Sequence, residues 1–95
     1  MSDEIKMNKI EHERLRWACR RGMLELDLFL VPFFEACYAT LNLHQQQSFA
    51  HLLTATDPEL LSWLMGHSFH ENKEVQEIVE QIRNYRLQQR QHPIL

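Results

Sequence analysis

Apolar residues recur along this chain at intervals of three and four positions, which is the spacing of one face of an α-helix. The clearest stripe consists of Val75, Ile78, Val79, Ile82 and Tyr85. Similar stripes, together with capping residues, predict helices over residues 2–21, 23–41, 44–55, about 58–65 and 73–90. Because only short connections separate them, we predict an all-α fold, a small five-helix bundle.

Capping residues mark several of these boundaries. Gly22 follows a basic end at Arg21, and glycine supplies the left-handed backbone conformation that commonly ends a helix. Thr56 or Asp57 can cap the fourth helix, and Asn72 can cap the last. Because Gly22 follows the basic residues, the first helix is predicted to run to about Arg21.

Residues 24–28 are ambiguous because apolar and polar positions alternate there, as in a strand. The apolar set nevertheless continues at helical spacing as Leu26, Leu30, Phe33, Cys37 and Leu41. Since no other segment alternates convincingly, we predict a helix that is apolar nearly all round and central to the core. Pro32 must kink or interrupt it, and the sequence leaves open whether the helix continues through Pro32.

The composition fits one domain, residues 1–95, with residues 1–4 and 91–95 expected to fray. With 2 Gly and 3 Pro the chain has few turn residues for a β-sandwich or barrel, and its net charge of −3 argues against a strongly basic nucleic-acid binder. The longest uncharged apolar run is far shorter than the about 20 residues that span a bilayer. With two cysteines and no apolar leader, we predict a cytoplasmic protein without direct membrane insertion.

The histidines and cysteines are weak candidates for chemistry. His67 and His70 lie three apart, but no further ligand of suitable spacing accompanies them. Cys19 and Cys37 fall on apolar helix faces, where a thiol is more often a small core residue than a nucleophile. We therefore expect no metal ligand, no catalytic residue and no enzymatic activity.

Residues 14–22 carry four arginines and no acid, a stretch that could contact nucleic-acid phosphates. The alternative is a solvated helix face whose positive charge is compensated by Glu11 and Glu13 one turn earlier. Because the chain is acidic overall, we favour the solvated face and predict no nucleic-acid partner. A small regulatory nucleic-acid binder stays open as an alternative.

The turn between the first two predicted helices presents Arg21, Gly22 and Glu25. A guanidinium, an unhindered peptide and a carboxylate would lie together on a rigid bend, which suits docking on another protein. The simpler alternative is a helix stop with an exposed intramolecular ion pair, worth under about 1 kcal/mol. Taken alone, the residues favour that simpler alternative.

Three blocks of sequence together resemble the succinate dehydrogenase flavinylation factors, a family marked by an RGxxE motif. The blocks are residues 17–27 (WACRRGMLELD), 32–35 (PFFE), and 57–60 (DPEL) with 63–65 (WLM). The likeness covers about residues 10–90. RGxxE alone is a weak signal because short patterns recur by chance, but three blocks in order are specific.

The resemblance implies a five-helix accessory protein that binds the flavoprotein subunit of succinate dehydrogenase, and in bacteria also that of fumarate reductase. It would promote covalent attachment of FAD to a histidine of that subunit. The chain itself would hold no cofactor permanently, and we expect it to act as a monomer. The same family has also been described as the antitoxin half of a toxin–antitoxin pair, so an antitoxin-like protein-binding role stays open.

The motif carries over residue by residue: Arg21, Gly22 and Glu25 stand at the family's functional positions, beside Met23 and Asp27. We predict that these five residues bind the partner. Arg21 would anchor to a partner carboxylate or carbonyl, Gly22 would allow close contact, and Glu25 would pair with a partner cation or orient Arg21. Arg21→Ala and Gly22→Glu would then leave folding largely intact while abolishing covalent flavin. The factor would hold the mobile domain of its target in a reactive arrangement.

Overall fold

A computed structural model describes the backbone of residues 2–91 and the side chains of residues 9–90. Its helices are α1 (Ser2–Ala18), α2 (Leu24–Cys37), α3 (Leu43–Leu52), α4 (Asp57–Leu64) and α5 (Lys73–Gln91), with a 3₁₀ turn at Tyr38–Thr40. The described backbone contains no strand. The predicted all-α fold, a small five-helix bundle, is confirmed.

Helix α5 lies at the centre of the packing and contacts α2, α3 and α4. Its predicted apolar stripe is buried, with Val75 the most accessible of the four aliphatic members at 3% exposure, and Tyr85 is half-buried. Full burial of one such side chain contributes about 1.5–3 kcal/mol, so this stripe is a main source of stability. The fully buried residues that the other helices add to the same core are Leu26, Leu30, Phe33, Phe49, Leu52, Leu60 and Leu64.

Helix α2 buries only part of its surface. Leu26, Leu30 and Phe33 lie in the core, but Leu24 is 73% exposed and Leu28 is 38% exposed. Positions 24 and 28 lie four residues apart and so share one helix face, while position 26 lies on the opposite side. The helix predicted to be central to the core does pack against α4 and α5, but in its first turns the alternation leaves an exposed apolar edge.

Pro32 lies inside α2, and the helix is continuous through it. Proline removes only the amide that would have bonded to the carbonyl of Leu28, and the flanking turns keep their helical bonds. The helix ends at Cys37, earlier than the predicted end at residue 41, because the next three residues form a 3₁₀ turn. There the hydroxyl of Thr40 donates a hydrogen bond to the Cys37 carbonyl (2.7 Å), which satisfies one acceptor at the helix end.

Helix α1 ends at Ala18, three residues before the predicted end at Arg21. The amide of Cys19 is shared between two carbonyls of the last turn (3.1 and 3.3 Å), which tightens that turn. The helix does not continue because the Arg21 amide donates to Asp27 (2.7 Å) instead of to a helical carbonyl. Gly22 has a φ of +81°, so the predicted left-handed glycine is confirmed, although it lies within the connecting loop.

The predicted caps of the last two helices are present. Thr56 caps α4 through reciprocal hydrogen bonds with Glu59, and the side chain of Asn72 accepts from the Val75 amide (3.0 Å). Gly66 ends α4 with a φ of +81°, and two amides of that turn return to carbonyls of the helix (3.1 and 2.9 Å). These bonds fix where α4 and α5 begin and where α4 ends.

In the part of the chain that the structure describes, no helix is long and apolar enough to cross a bilayer. The predicted fraying concerns residues 1–4 and 91–95, of which Met1 and residues 92–95 lie outside the described range. Fraying and the single-domain boundary at 1–95 stay predictions.

Replacing Leu30 by alanine tests the packing of α2 on the core. Because Leu30 is fully buried, we expect the free energy of unfolding to fall by about 2–5 kcal/mol. Leu24→Ala is the matched control, since the same change at an exposed position of the same helix should cost only about 0.5 kcal/mol. Urea unfolding followed by circular dichroism measures both variants. Equal losses would contradict the one-sided burial of α2.

Candidate partner-binding site

The Gly22 corner, residues 20–25, joins α1 to α2 and carries the RGxxE motif. Gly22 at its tip is exposed, and its φ of +81° would cost a residue with a side chain about 1–2 kcal/mol. A Cβ added at this position would meet no heavy atom within 4 Å. Backbone conformation therefore favours glycine here without any crowding, and the surrounding peptide is accessible to another protein.

The side chain of Arg21 turns back from the corner into its own chain and is only 18% exposed. Its Nε donates a hydrogen bond to Oδ1 of Asp57, the first residue of α4 (2.8 Å). Its two terminal nitrogens donate to three backbone carbonyls, those of Ala18 (3.2 Å), Leu53 (3.1 Å) and Ala55 (2.8 Å). One guanidinium therefore joins the end of α1, the end of α3 and the start of α4.

A second tie runs from the backbone of the corner to α2. The amide of Arg21 donates to Oδ1 of Asp27 (2.7 Å). Asp27 lies in the first turn of α2, where a carboxylate also suits the positive end of the helix dipole. The corner is thus fixed on both flanks, and a loop ordered in advance loses less entropy when a partner binds.

The outward side of the corner consists of Leu24 and Glu25. Leu24 is largely exposed, and Glu25 is exposed and takes part in no ion pair among the side chains that the structure describes. Met23, in contrast, is half-buried and packs against the core. The groups that the corner offers to a partner are therefore a carboxylate, a leucine side chain and a bare peptide.

The five residues predicted to bind a partner thus fall into two groups. Arg21 and Asp27 form hydrogen bonds within the chain, whereas Gly22 and Glu25 are exposed. Met23 is half-buried and belongs to neither group. Direct contact of Arg21 with a partner stays a prediction, and it would require the guanidinium to exchange its present acceptors. The prediction that Arg21→Ala leaves folding largely intact does not fit this geometry, because the change removes the donor from three carbonyls and a carboxylate.

Sequence reasoning missed two features of the site. It places Asp57 as a candidate cap, whereas Thr56 caps α4 and Asp57 accepts from Arg21. The signal that could have revealed this pair is the acidic block at 57–60, which accompanies the motif in the family resemblance. It also missed the exposed apolar edge of Leu24 and Leu28, which the strand-like alternation of residues 24–28 already contained.

Neither cysteine is suited to nucleophilic chemistry in this fold. Cys19 is 1% exposed, and burial raises the pKa of its thiol to about 12, with Arg21 opposing the rise and Asp27 adding to it. Cys37 is half-buried, and burial raises the pKa of its thiol as well. Because the thiolate is the nucleophile, both thiols stay protonated and unreactive at neutral pH.

The four arginines of residues 14–22, two in α1 and two in the loop after it, do not form a free phosphate-binding face. Arg21 is turned inward, and Arg16 donates to Glu35 of α2 (3.0 Å) and lies 3.8 Å from Glu13. Two of the four guanidinium groups therefore already face carboxylates of the same chain. This arrangement favours the predicted solvated face over a nucleic-acid site.

The histidines have separate surroundings. The ring of His70 lies 4.6 Å from the ring of Trp63, and its Nδ1 accepts the amide of Asn72 (2.9 Å). His44 lies 3.0 Å from a carboxylate oxygen of Glu74 and so links α3 to α5. Across the described side chains, no group of three or more His, Cys, Asp or Glu residues is placed to hold a metal ion.

Comparison with known proteins relates this geometry to a family. The family described as flavinator of succinate dehydrogenase matches residues 13–86. The FAD assembly factor SdhE of Vibrio parahaemolyticus is 53% identical over 62 residues, which cover 65% of this chain and 72% of that protein. Proteins of the same name from Photobacterium profundum and Colwellia psychrerythraea are 50% identical over 72 residues and 47% identical over 74 residues. These two matches cover 76% and 78% of this chain, and 82% and 81% of the relatives.

Replacing Arg21 by alanine tests its structural role. The change leaves the Asp57 carboxylate and three carbonyls without their donor, so the free energy of unfolding should fall by about 2–3 kcal/mol. Arg21→Lys keeps the charge but lacks the planar fork and should recover only part of this loss. Arg20→Ala, at the exposed neighbouring position, is the matched control in urea unfolding. A loss no larger for Arg21→Ala than for Arg20→Ala would contradict the tie.

Alkylation with iodoacetamide tests the state of the two thiols. In the folded protein Cys19 should resist the reagent from about pH 7 to about pH 9.5, because burial blocks access and its pKa of about 12 keeps it protonated there. In urea its rate should rise as the pH passes the ordinary thiol value of about 8.5. Cys37 is the internal comparison and should react faster than Cys19 in the folded state. Rapid labelling of folded Cys19 at neutral pH, measured by peptide mass spectrometry, would contradict its burial.

Proposed function

This chain belongs to the family of flavinators of succinate dehydrogenase, and we propose that it binds the flavoprotein subunit of that enzyme and promotes covalent attachment of FAD to it. The observation that carries the proposal is the family match over residues 13–86. The matched range contains the complete RGxxE motif and also Asp57 of α4, to which Arg21 of the motif donates a hydrogen bond. Relatives that match at about half identity are named FAD assembly factors.

The proposed action is that of an assembly factor and not of a catalyst. FAD and the histidine that receives it both belong to the partner, so the reacting groups need not come from this chain. The thiol of Cys19, buried and protonated, is a poor nucleophile. The chain instead stabilises the arrangement of the flavoprotein in which the flavin and its acceptor histidine meet.

Such a factor works only through a difference in affinity between two arrangements of its partner. If the reactive arrangement is populated at about 1%, raising it to about 99% requires about 10⁴-fold tighter binding to that arrangement, or about 5.5 kcal/mol. A few well-packed contacts can supply this energy when the binding surface is ordered in advance. Arg21 and Asp27 give the Gly22 corner that order.

Each outward group of the corner has a role in this proposal. Glu25, exposed in the first turn of α2, pairs with a cation of the partner. Gly22 lets the partner approach the peptide closely, and Leu24 adds apolar contact beside it. Arg21 and Asp27 act from within by holding the corner in place.

From the family resemblance, the proposal also covers a second partner, the oligomeric state, the location in the cell and the absence of a cofactor held by the chain. The flavoprotein subunit of fumarate reductase is a second partner of the same kind. The chain acts as a monomer in the cytoplasm, and it holds no cofactor of its own because FAD is bound by the partner.

Covalent flavin on the flavoprotein subunit is the readout of this function, since it stays attached in a denaturing gel and fluoresces. In cells that lack the chain we expect this fluorescence to be lost, and the wild-type chain should restore it. Gly22→Glu should fail to restore it, because a charged side chain then covers the peptide at the tip of the corner. In contrast, Gly22→Ala should restore most of it.

The two glycine variants form a matched pair. Both impose the same backbone strain at φ +81°, and an added Cβ meets open space, so they differ mainly in what they present to a partner. Equal loss of flavin with both variants would assign the effect to the backbone and not to the surface. Normal flavin in cells without the chain would refute the proposed function, and co-purification with a small toxin or cytoskeletal protein would then favour the antitoxin-like alternative.

A further inference from the structure

Three arginines line a groove between α2, α4 and α5 that the proposed function does not yet use. The groove has a volume of about 260 Å³. Its apolar lining includes Phe29, Leu64 and Leu87, and its charged lining consists of Arg83, Arg86 and Arg90. An apolar surface is thus combined with a row of guanidinium groups on one side of the bundle.

The arginines follow one face of α5 because positions 83, 86 and 90 are spaced by three and four residues. At about 1.5 Å of rise per residue, the row extends over about 10 Å. Among the side chains that the structure describes, none of the three pairs with a carboxylate. Since the whole chain carries a net charge of −3, this row is a local concentration of positive charge on an acidic protein.

The first arginine of the row lies against the turn at the end of α4. A Cβ at Gly66 would lie 2.6 Å from Nη2 of Arg83, so the guanidinium lies close against the backbone of that turn. Gly66 also needs its φ of +81° to end the helix. One end of the charged row therefore lies beside the turn that ends α4, next to the apolar lining.

We propose that this groove receives an acidic segment of the flavoprotein subunit, whose carboxylates pair with Arg86 and Arg90 while an apolar side chain enters the groove. This inference rests on the proposed function. A volume of about 260 Å³ is below the about 300–1,000 Å³ of small-molecule pockets and suits an inserted side chain. A row of cations about 10 Å long matches several carboxylates spread along a polypeptide better than one compact anion. Arginine also suits such an interface because its fork binds carboxylates and its stem covers apolar surface.

The groove and the Gly22 corner lie along the same helix. Glu25 and Phe29 are four residues apart on α2, so they share a face and are separated by about 6 Å along the axis. A partner seated on Glu25 reaches the groove by extending its contact about one turn along α2. The two areas then form one binding face, in which Glu25 meets a partner cation and the arginines meet partner carboxylates.

Single charge reversals test the groove. Arg86→Glu and Arg90→Glu change the row, and Lys73→Glu is the matched control because it makes the same charge change at an exposed position near the opposite end of α5. Isothermal titration calorimetry of the full chain with the purified flavoprotein subunit measures the affinity at low and at high salt. We expect each groove variant to bind about tenfold more weakly at low salt, with a smaller difference at high salt, and the control to stay within about twofold of wild type.

The outcomes separate this inference from the function on which it rests. Wild-type affinity in both groove variants, with binding still abolished by Gly22→Glu, would overturn the groove and leave the proposed function standing. Equal weakening by Lys73→Glu would point to long-range charge and would also overturn the groove. No binding of the wild-type chain to the subunit would refute the proposed function itself.

Discussion

One guanidinium lies where three helix ends meet, and the shape of the Gly22 corner depends on it. Helix ends leave carbonyls without intrahelical donors, and Arg21 supplies donors to Ala18 at the end of α1 and to the chain that leaves α3. Its bond to Asp57 adds the first residue of α4. Because these acceptors come from segments far apart in sequence, the corner takes its position only when the bundle is assembled.

The two charged residues of the motif have opposite orientations. The side chain of Arg21 pairs with Asp57 of the same chain, whereas Glu25 is exposed at the start of α2. The left-handed glycine between them separates the inward arginine from the outward carboxylate. The motif therefore combines a structural tie with an exposed carboxylate in five consecutive residues, and that exposed part is the surface proposed for recognition. A change at Arg21 acts on the shape of this surface, and a change at Glu25 acts on its charge.

The features that the sequence predicts correctly are those that depend on residues close together in the chain. The buried stripe of α5 and the caps at Thr56 and Asn72 follow from spacing and side-chain chemistry within a few residues, and they are confirmed. The tie from Arg21 to Asp57 joins residues 36 positions apart, so no local pattern specifies it. The sequence also predicts the end of the first helix three residues too late, at Arg21 instead of Ala18. A cation at this position is compatible with the last turn of a helix and equally with a loop whose arginine folds back.

The size of a stable interface shows that the motif alone is too small to hold a large partner. A standard protein interface involves about 20–30 residues and buries about 800 Å² on each side, and that area is about 12% of the 6875 Å² that this chain exposes. Gly22, Leu24 and Glu25 supply only a small part of that, so the proposed contact would have to extend over neighbouring surface. Along α2 it next meets the exposed edge at Leu28 and then the arginine groove, where the charge changes sign. The proposed face, with an acid at one end and a row of bases at the other, would favour one orientation of a complementary partner, because the reversed orientation brings like charges together. A factor that acts by stabilising one arrangement of its partner needs this selectivity, since binding in several orientations would favour none of them.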